Sequence, residues 1–599
     1  MSPLTCSTEM DTLLSVLDDT VTAARAAGRD DLVARLETAA ARARDPRRRI
    51  VVAGQRDQGK SRFVNALLNL EICPVGDDIT TTVPIQLAYA ERPRAEMVLA
   101  ATGSEERVEF PLADLAVVEA PTGKQLARIE IHLPNALLAD GIVLVDTPGI
   151  GGSGTAMSVL ELLPSADALL ILSDASTELT APELTFVRQA AELCPATAVL
   201  LTKTDLYPHW RQVFAADRHH LTTAGLNLPL LPISSLLRAH ALRLQDTQLG
   251  AESGFGELFQ FLRDQVVARD NQITRAAIAQ EMSSAAEHLA LAIGSELVAL
   301  RDPQHAAAAL SELHAAKSTA QQLHRRTAAW QQTLADGITD LAGDVDHDLR
   351  ERLRTISRTG EEWIDDHDPG RHWNAIAEWL TGTVDTALGD NLLWAHARAE
   401  SLAERVAEHF QELGAVELPA ALDHVGTVTG TGTLAELEPD IGVVSKVLVG
   451  MRGSYGGVLM VGLATTFAGL AMLNPISIGA GVLVGGKAYR DDKQARLTRR
   501  RGEAKNAVRR FLDDVAFQAG KDSKDRMHGI HRALRDHYAG IAERSLRSID
   551  ESLTAAQEAA TSAATDRATR TALLERRLTA VADLRRYADQ FHTQPQLLA

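Results

Sequence analysis

The feature that most constrains the fold is an apolar run that passes into a glycine-rich loop and then into a helical pattern. Residues 50–53 form a continuous apolar stretch typical of a buried parallel strand, and residues 63–68 have the composition of a following helix. Between them, residues 54–61 have the spacing Gly-x-x-x-x-Gly-Lys-Ser. Such a loop wraps backbone N–H groups around phosphate oxygens, and the helix N-terminus adds a favourable dipole. The segment therefore predicts a nucleotide-phosphate site in an α/β domain.

Different residues of this loop are expected to have different roles. Gly54 and Gly59 allow the backbone conformations that a tight phosphate loop requires. Lys60 is expected to reach the β- and γ-phosphates, and the Ser61 hydroxyl is expected to bind Mg²⁺. The predicted nucleotide-binding residues of the loop are Gly54, Gln55, Gly59, Lys60, Ser61 and Arg62.

Short apolar runs alternate with helical patterns from residue 50 to about residue 269, which predicts a mostly parallel α/β sheet. The further candidate strands are residues 127–133, 142–145, 169–172, 198–201 and 230–233.

A second motif, Asp-Thr-Pro-Gly, directly follows the candidate strand 142–145. The carboxylate of Asp146 can hold a Mg²⁺-bound water, and the N–H of Gly149 can meet the γ-phosphate. The motif predicts a metal-holding role for Asp146 and a contact at Gly149 that senses whether the γ-phosphate is present.

A third motif, Thr-Lys-Thr-Asp, follows the candidate strand 198–201, and a Ser-Ser pair follows the candidate strand 230–233. The carboxylate of Asp205 can accept two hydrogen bonds from N1 and N2 of guanine, whereas adenine lacks that pair of donors. The motif therefore favours GTP. The predicted base-binding residues are Thr202, Lys203, Asp205, Ser234 and Ser235.

A polar segment between the first two motifs, residues 77–84, reads Asp-Asp-Ile-Thr-Thr-Thr-Val-Pro. A threonine in such a loop can complete the Mg²⁺ shell while GTP is bound and be released after hydrolysis. In the alternative interpretation, the threonine run simply begins a strand. The place of the segment in the order of motifs favours the switch role, with Thr80, Thr81 and Thr82 as candidates.

These motifs, in this order and at the ends of candidate strands, resemble those of GTPases of the dynamin superfamily over roughly residues 48–270. The resemblance implies an α/β P-loop GTPase domain that hydrolyses GTP to GDP with Mg²⁺. It also implies that Thr81 is the switch threonine. The implied metal-binding residues are Ser61, Thr81 and Asp146.

The phosphate loop departs from eukaryotic dynamins, which usually carry Gln and Ser where this chain has Arg56 and Asp57, and it is more similar to bacterial dynamin-like proteins. Ras-like proteins carry a water-orienting Gln where this chain has Ile150, so another group must position the water. Arg56 either stabilises transition-state charge or forms an exposed pair with Asp57. The candidate catalytic residues are Lys60, Thr81, Arg56, Asp57 and Gln58.

Helical patterns flank the α/β block on both sides. Residues 9–41 carry Leu13, Leu17 and Val21 at spacings of three and four, which predicts one or two amphipathic helices. After about residue 269, long Ala/Leu/Glu/Arg-rich segments predict an extended all-α bundle. The predicted divisions are N-terminal neck helices 1–47, a GTPase domain 48–269, a neck and trunk bundle 270–440, a hydrophobic membrane-binding tip 441–489 and returning helices 490–599.

The stretch that begins at Gly453 and ends at Gly486 contains no charged side chain. One membrane-spanning helix needs about 20 apolar residues, and Asn474-Pro475 interrupts this stretch. It fits a short helical hairpin that dips into one leaflet. A buried hairpin in the core of the bundle and a transmembrane pair are the two alternatives.

A basic segment follows, from Lys487 to Arg510, with ten basic and three acidic residues. Beside an apolar tip, such an excess is attracted to anionic headgroups at roughly 1 kcal/mol per well-placed charge. The expected partners are therefore an anionic lipid membrane and, by the resemblance, further copies of this chain through their GTPase domains and a related dynamin-like subunit.

Composition excludes several classes of function. The net charge of −18 disfavours nonspecific nucleic-acid binding, and three cysteines that lie far apart argue against a zinc site or a disulfide framework. Residues 1–11 lack the pattern of a secretory signal, which predicts a cytoplasmic protein. With the apolar and basic segments, this predicts peripheral association with the inner face of the plasma membrane.

Three functions are consistent with these features. The leading hypothesis is a GTPase that couples hydrolysis to membrane binding, self-association and membrane fission, fusion or repair. The second is a slow GTP-dependent switch on a membrane scaffold that recruits a partner protein. The third is a soluble GTPase whose apolar stretch is buried in its own bundle.

Overall fold

The computed structural model of the protein describes residues 8–44, 46–75, 83–101, 104–117, 124–150, 155–194, 196–301, 311, 314, 317–318, 328–412, 486–561 and 564–590. The strands in chain order are β1 (Arg48–Gly54), β2 (Ile85–Tyr89), β3 (Arg94–Ala101), β4 (Ser104–Phe110), β5 (Gln125–Leu133), β6 (Ile142–Asp146), β7 (Ala168–Asp174), β8 (Thr197–Thr202) and β9 (Leu230–Pro232). Within these residues they form one sheet in the order β4-β3-β5-β2-β6-β1-β7-β8-β9.

The parallel half of the sheet carries the nucleotide motifs. β1 lies between β6 and β7, and β8 and β9 continue on the β7 side, all in parallel. Every residue of β6 and β8 is buried, as expected where helices cover both faces of a parallel sheet. The prediction of a mostly parallel α/β sheet is therefore confirmed, and each strand that the sequence predicts is present.

The other half of the sheet, formed by β2, β3 and β4 with β5, was only partly predicted. β2 runs antiparallel to β6 and pairs Ile85 with Asp146, and β3 and β4 form an antiparallel hairpin beside β5. Charged residues interrupt the apolar pattern here: Glu96 and Glu130 are neighbours across β3 and β5, and Arg107 approaches them at 3.5 and 3.0 Å. The sequence misses β2, β3 and β4 because such short mixed runs give a weak signal.

The helices in chain order are α1 (Thr8–Ala26), α2 (Asp30–Arg44), α3 (Lys60–Leu68), α4 (Ala136–Ala139), α5 (Thr155–Leu162), α6 (Ala181–Leu193), α7 (Trp210–Thr223), α8 (Ser235–Leu244), α9 (Thr247–Glu252), α10 (Phe255–Phe261), α11 (Ala268–Arg301), α12 (Ala328–Asp366), α13 (Pro369–Glu412), α14 (Gly486–Thr561) and α15 (Ala564–Asp589). A π-helical turn, Leu262–Val267, joins α10 to α11. Alternate residues of β1 face the two helical layers: Ile50 and Val52 pack with α3 and α10, whereas Val51 and Ala53 pack with α5 and α6.

Helices α1, α2, α11 and α15, with the C-terminal part of α14, share one apolar core. Leu13, Leu17 and Leu36 of the first two helices are fully buried in it, beside Leu289 of α11. Gly28, with φ of +72°, turns the chain between α1 and α2. The predicted amphipathic helices of residues 9–41 are thus present, and their apolar stripes face this bundle, which we call the neck.

Helices α12 and α13 and residues 504–534 of α14 form a second bundle, which we call the trunk. Leu334, Leu402 and Ile530 come from these three helices and are buried together. α12 ends at Asp366 and α13 begins at Pro369. Proline suits this position because the first helical N–H has no intrahelical partner to lose.

The trunk lies against the α/β domain through α5 and α6. The side chain of Gln189 donates to Asp390 at 2.8 Å, and Arg188 pairs with the same carboxylate at 3.2 Å. Arg526 of α14 pairs with Glu161 of α5 at 3.2 Å. These contacts join residues that lie 201 or more positions apart in the chain, so no local sequence pattern predicts them.

The apolar stretch that begins at Gly453 lies outside the described residues up to its last position, Gly486, where α14 begins. Its hairpin, core and transmembrane alternatives stay predictions. Among the helices that the structure describes, none has the length and apolarity needed to cross a bilayer.

The basic segment is partly neutralised within the trunk. Lys505 bonds to Asp365 at 2.6 Å, and Arg509 bonds to Glu361 at 2.7 Å. Two further pairs are Arg499 with Glu503 and Arg500 with Asp368. The positive charge available to attract an anionic surface is therefore smaller than the composition of residues 487–510 alone suggests. Acids of α12 and of the turn after α12 pair with some of these basic side chains.

Candidate functional site

The glycine-rich loop connects the carboxyl end of β1 to α3. Gly54 has φ of +151°, and a Cβ there would lie 2.4 Å from the carbonyl oxygen of Leu172. Gly59 has φ of +87° and caps α3 without a side-chain hydrogen bond. Both positions therefore require glycine, and the first N–H groups of α3 point out of the helix end where a phosphate can accept from them.

Lys60 is the first residue of α3, and its side chain is buried. Its Nζ donates to the carbonyl oxygen of Gln55 at 2.7 Å. Burial lowers the pKa of Lys60, and the carboxylates of Asp146 and Asp57 oppose that shift. A buried amine that rests on a neutral carbonyl gains from a negatively charged ligand, such as a phosphate, placed within its reach.

Asp146 and Ser61 lie beside this lysine. The Ser61 hydroxyl donates to Oδ2 of Asp146 at 2.8 Å, and Oδ1 of the fully buried carboxylate has no hydrogen-bond partner among the described residues. Burial raises the pKa of Asp146 to about 6, although the Ser61 hydroxyl and the Lys60 ammonium both lower it. A carboxylate oxygen without a partner, next to a hydroxyl, matches the oxygen ligands that Mg²⁺ prefers. The residues present therefore fit the metal.

The segment after Asp146 is tied to the phosphate loop. The N–H of Ile150 donates to the carbonyl oxygen of Gly54 at 2.9 Å. Gly149 packs against Arg56, where an added Cβ would lie 2.9 Å from the Arg56 Cα, so the position has no room for a side chain. The candidates Thr80, Thr81 and Thr82 lie outside the described residues, and the choice among them stays a prediction.

The three candidates for water positioning differ in exposure. Arg56 and Asp57 are exposed on the loop, whereas Gln58 is buried beneath it. Oε1 of Gln58 accepts the Gln55 N–H at 2.6 Å, and its Nε2 donates to Glu183 at 2.9 Å. Both ends of the Gln58 amide are thus engaged within the protein.

Asp205 lies at the carboxyl end of β8, where Ser234 donates to its Oδ1. Ser234 also caps α8, because its Oγ accepts the Leu237 N–H at 3.0 Å. Thr204 donates to the carbonyl oxygen of Ile233 at 3.1 Å. The Thr-Lys-Thr-Asp motif and the Ser-Ser pair are therefore brought together, and Ser234 orients the carboxylate expected to read the base.

Lys203 links this base-binding end to the phosphate loop. Its Nζ donates to the carbonyl oxygen of Asp57 at 2.6 Å and to Asp174 at 2.8 Å. Lys203 and Asp57 have φ of +57° and +64°, conformations that cost side-chain-bearing residues energy and cluster at functional sites. Thr202 adds a second link, since its Oγ1 donates to the carbonyl oxygen of Gln58 at 2.9 Å.

Two residues of the site were missed by sequence reasoning. Asp174 ends β7, and although burial raises its pKa, hydrogen bonds from Lys203 and Ser176 outweigh that effect and lower it. The position of Asp174 directly after a buried apolar run could have marked it as a site residue, because ligands of α/β sheets bind at strand carboxyl ends. Glu183 had only a local signal, the Thr-x-x-Glu spacing of a helix start.

Most of the predicted site residues lie at one edge of the sheet. Arg62 is exposed on α3, and Ser235 is the first residue of α8. The residues that the structure brings together in the loop, at the ends of β6 and β8 and before α8 are Gly54, Gln55, Arg56, Asp57, Gln58, Gly59, Lys60, Ser61, Asp146, Gly149, Thr202, Lys203, Asp205 and Ser234.

Comparison with known proteins relates this arrangement to one family. The model of the dynamin family matches residues 50–204, which span the phosphate loop, the Asp-Thr-Pro-Gly motif and the start of the base-binding motif. Two bacterial structures show low identity and low structural similarity. A chain of an oligomerised bacterial dynamin pair is 14% identical with a TM-score of 0.39, covering 96% of this chain and 82% of that one. LeoA, a bacterial dynamin GTPase from ETEC, is 12% identical with a TM-score of 0.29, covering 96% and 98%.

A full-length relative gives the stronger comparison. Isoniazid-induced protein IniA of Mycobacterium tuberculosis, in strains CDC 1551 and H37Rv, is 44% identical over 579 residues, which cover 94% of this chain and 90% of that protein. The alignment extends through the neck and trunk as well as the α/β domain. The chain therefore belongs to the dynamin family, and its α/β domain is the GTPase domain of that family.

Proposed function

We propose that this protein hydrolyses GTP to GDP and phosphate and couples the reaction to membrane binding, self-association and membrane remodelling. The observation that carries the proposal is the convergence of three groups at one edge of the sheet. These are the amine of Lys60, the Ser61–Asp146 pair and the oriented carboxylate of Asp205. A phosphate loop, a metal-fitting pair and a carboxylate suited to reading the base, all at one edge of the sheet, suit a guanine nucleotide.

In this proposal, the residues of the cleft bind and orient GTP. Asp205 accepts the N1 and N2 hydrogens of guanine while Ser234 holds its carboxylate. The N–H groups of the loop and of the α3 N-terminus bind the phosphates, and Lys60 moves from the Gln55 carbonyl onto the β- and γ-phosphate oxygens. These donors stabilise the negative charge on the transferring phosphoryl group, which is the main way proteins accelerate this reaction.

Ser61 and Asp146, with Thr81 from the switch segment, are the residues that would hold Mg²⁺. A Mg²⁺ ion held there would supply positive charge that neutralises the charge developing on the phosphate oxygens. The orphaned oxygen of Asp146 supports this assignment. Water attacks the γ-phosphorus while the bond to the β–γ bridging oxygen breaks, so GDP leaves and the proton of the water passes to phosphate or solvent. The exposed Arg56 and Asp57 are our candidates for orienting this water or for stabilising charge.

The membrane part of the proposal is supported by the sequence beyond the GTPase domain. The uncharged stretch that begins at Gly453 is followed by the basic segment 487–510, and together they suit insertion into an anionic leaflet from the cytoplasmic side. We place the protein in the cytoplasm, peripherally on the inner face of the plasma membrane. Its partners are further copies of itself through GTPase domains, and a related dynamin-like subunit.

The test is GTP turnover at several protein concentrations, with and without anionic liposomes, followed by electron microscopy of the same vesicles. We expect turnover per molecule to rise with concentration and lipid, and the vesicles to tubulate, tether or fragment. Leu459→Asp is the control. A charge in the apolar stretch should abolish binding to the liposomes, measured by flotation, without changing the nucleotide site. Turnover that is slow and independent of both variables, with unchanged vesicles, would favour a membrane-bound switch that recruits a partner.

A further inference from the structure

A chain of hydrogen bonds connects Lys60, the first residue of α3, to α6 on the opposite face of the sheet. Nζ of Lys60 donates to the Gln55 carbonyl at 2.7 Å, and the Gln55 N–H donates to Oε1 of Gln58 at 2.6 Å. Nε2 of Gln58 then donates to Oε1 of Glu183 at 2.9 Å. The amine expected to contact the phosphates therefore rests on a backbone unit that is held, through one glutamine, by a carboxylate of α6.

The orientation of the Gln58 amide depends on that carboxylate. The side chain is 8% exposed, so water offers little alternative partner. If the amide were flipped, its NH₂ would face the Gln55 N–H and its oxygen would face the Glu183 carboxylate, and both contacts would oppose like groups. Glu183 thus fixes the orientation in which Oε1 accepts from Gln55. The adjacent Gly54 closes the space, since a Cβ there would lie 2.8 Å from Oε1.

We propose that Glu183 is a positioning residue for the phosphate loop, acting through Gln58 on the Gln55 N–H. The proposal rests on the proposed GTP hydrolysis, because it concerns how the phosphate loop is held for that reaction. Such positioning matters for rate, since a displacement of about 1 Å in a group that contacts the reacting atoms can cost about 100-fold. No sequence motif marks the contact, which joins residues 125 positions apart.

Glu183 also has a local role that must be separated from this one. Its other oxygen, Oε2, accepts the Thr180 N–H at 2.8 Å and the Thr180 hydroxyl at 2.7 Å. These bonds stabilise the start of α6, as cap interactions at a helix N-terminus do. Because the two oxygens serve different partners, mutations can separate the two roles.

The experiment measures kcat for GTP, the Kd for GDP and the Tm of full-length variants. Glu183→Leu removes the acceptor of Gln58, and we expect kcat to fall about tenfold while the Kd for GDP changes less than about threefold, because the base-binding end is untouched. Glu183→Gln keeps an oxygen that can accept from Nε2, and we expect it to restore kcat to within about threefold of wild type.

Thr180→Ala is the matched control for the cap. It removes the hydroxyl bond but leaves the Gln58 contact, so we expect a lower Tm with wild-type kcat. Gln58→Met gives an independent test that leaves α6 unchanged, and we expect it to lower kcat as Glu183→Leu does. Wild-type kcat in Glu183→Leu or in Gln58→Met, or equal loss in Thr180→Ala and Glu183→Leu, would overturn the proposal. A wild-type protein without GTP turnover would instead overturn the proposed function itself.

Discussion

The two ends of the nucleotide site are held in different ways. At the guanine end, the functional side chains already have partners within the protein: Lys203 bonds to Asp174, and Ser234 donates to Asp205. At the phosphate end, charged groups are buried with fewer compensating contacts. In the proposed site the guanine end is therefore preformed, whereas we expect ligands to complete the phosphate end.

The phosphate end carries an electrostatic cost in the absence of nucleotide. Oδ1 of Asp146 is buried without a partner among the described residues, and burial lowers the pKa of Lys60. Such groups are stabilised when opposite charge arrives, and because they were already desolvated on folding, a metal and a triphosphate gain these interactions without desolvating them again. A preformed guanine end needs little rearrangement when the base binds. This lowers the cost of binding and favours discrimination between guanine and other bases. The following predictions separate the two ends, from the largest expected effect to the smallest.

Lys60→Ala should abolish GTP turnover, with kcat reduced more than about 100-fold, because it removes the positive charge that would contact the β- and γ-phosphates. The preference for GDP over ADP should survive, since the guanine end is unchanged. Steady-state phosphate release and competition binding measure the two quantities. Wild-type turnover in this variant would show that the phosphate site is assigned wrongly.

Asp205→Asn should weaken the discrimination of GTP from ATP by about 10- to 100-fold, as expected for loss of hydrogen bonds to a charged acceptor. The ratio of kcat/KM for the two nucleotides is the measure. Ser234→Ala is the graded control, because it leaves the carboxylate but removes its support, and a smaller loss is expected. Unchanged discrimination in Asp205→Asn would mean that another residue reads the base.

The pH dependence should come from the phosphate end. A cation binds the ionised form of Asp146, whose pKa burial raises from 3.8 to about 6, so this form predominates above about pH 6 and is lost below it. We expect the Mg²⁺ concentration for half-maximal turnover to rise about tenfold between pH 7 and pH 5. A flat profile across this range would contradict the assignment of Asp146 as a metal ligand.

The same shift has a consequence for stability. Because the folded state raises the pKa of this acid, protonated Asp146 favours folding at low pH, and that contribution is lost as the pH rises from about 4 to about 6. The nucleotide-free protein should therefore be stabilised by Mg²⁺ more strongly at pH 7 than at pH 5. Thermal denaturation with and without the ion gives the comparison.

Asp174→Asn should have the smallest effect. It weakens the hold on Lys203, which keeps its bond to the carbonyl oxygen of Asp57, so we expect affinity for GDP to fall about threefold. Fluorescence titration of GDP into the full-length variant measures this. A fall in GDP affinity as large as the fall in GTP/ATP discrimination expected for Asp205→Asn would show that the guanine end depends on Lys203 more than its two contacts suggest.

The strands of the sheet differ in how well the sequence predicts them. The strands that carry motifs were predictable because continuous apolar runs mark strands buried on both faces, and each motif follows such a run. The strands β2, β3 and β4 were not, because β2 has only five residues and charged residues such as Glu96 interrupt the apolar pattern of β3 and β4 and pair with residues of neighbouring strands.

Within the site, the sequence predicted the residues that would touch the nucleotide but not those that hold them. Asp174 and Glu183 act through Lys203 and Gln58, and these contacts depend on how separate segments pack. The docking of α13 and α14 on the GTPase domain, through Asp390 and Arg526, was unpredictable for the same reason.

The most direct test of the central claim is nucleotide turnover by the wild-type protein with GTP or ATP, each with Mg²⁺ and with excess chelator. The account predicts that GTP is hydrolysed, that ATP is at least about 100-fold slower, and that the chelator abolishes turnover. Equal hydrolysis of ATP would contradict the preformed guanine end. GTP hydrolysis that persists in chelator would contradict the metal-dependent phosphate end.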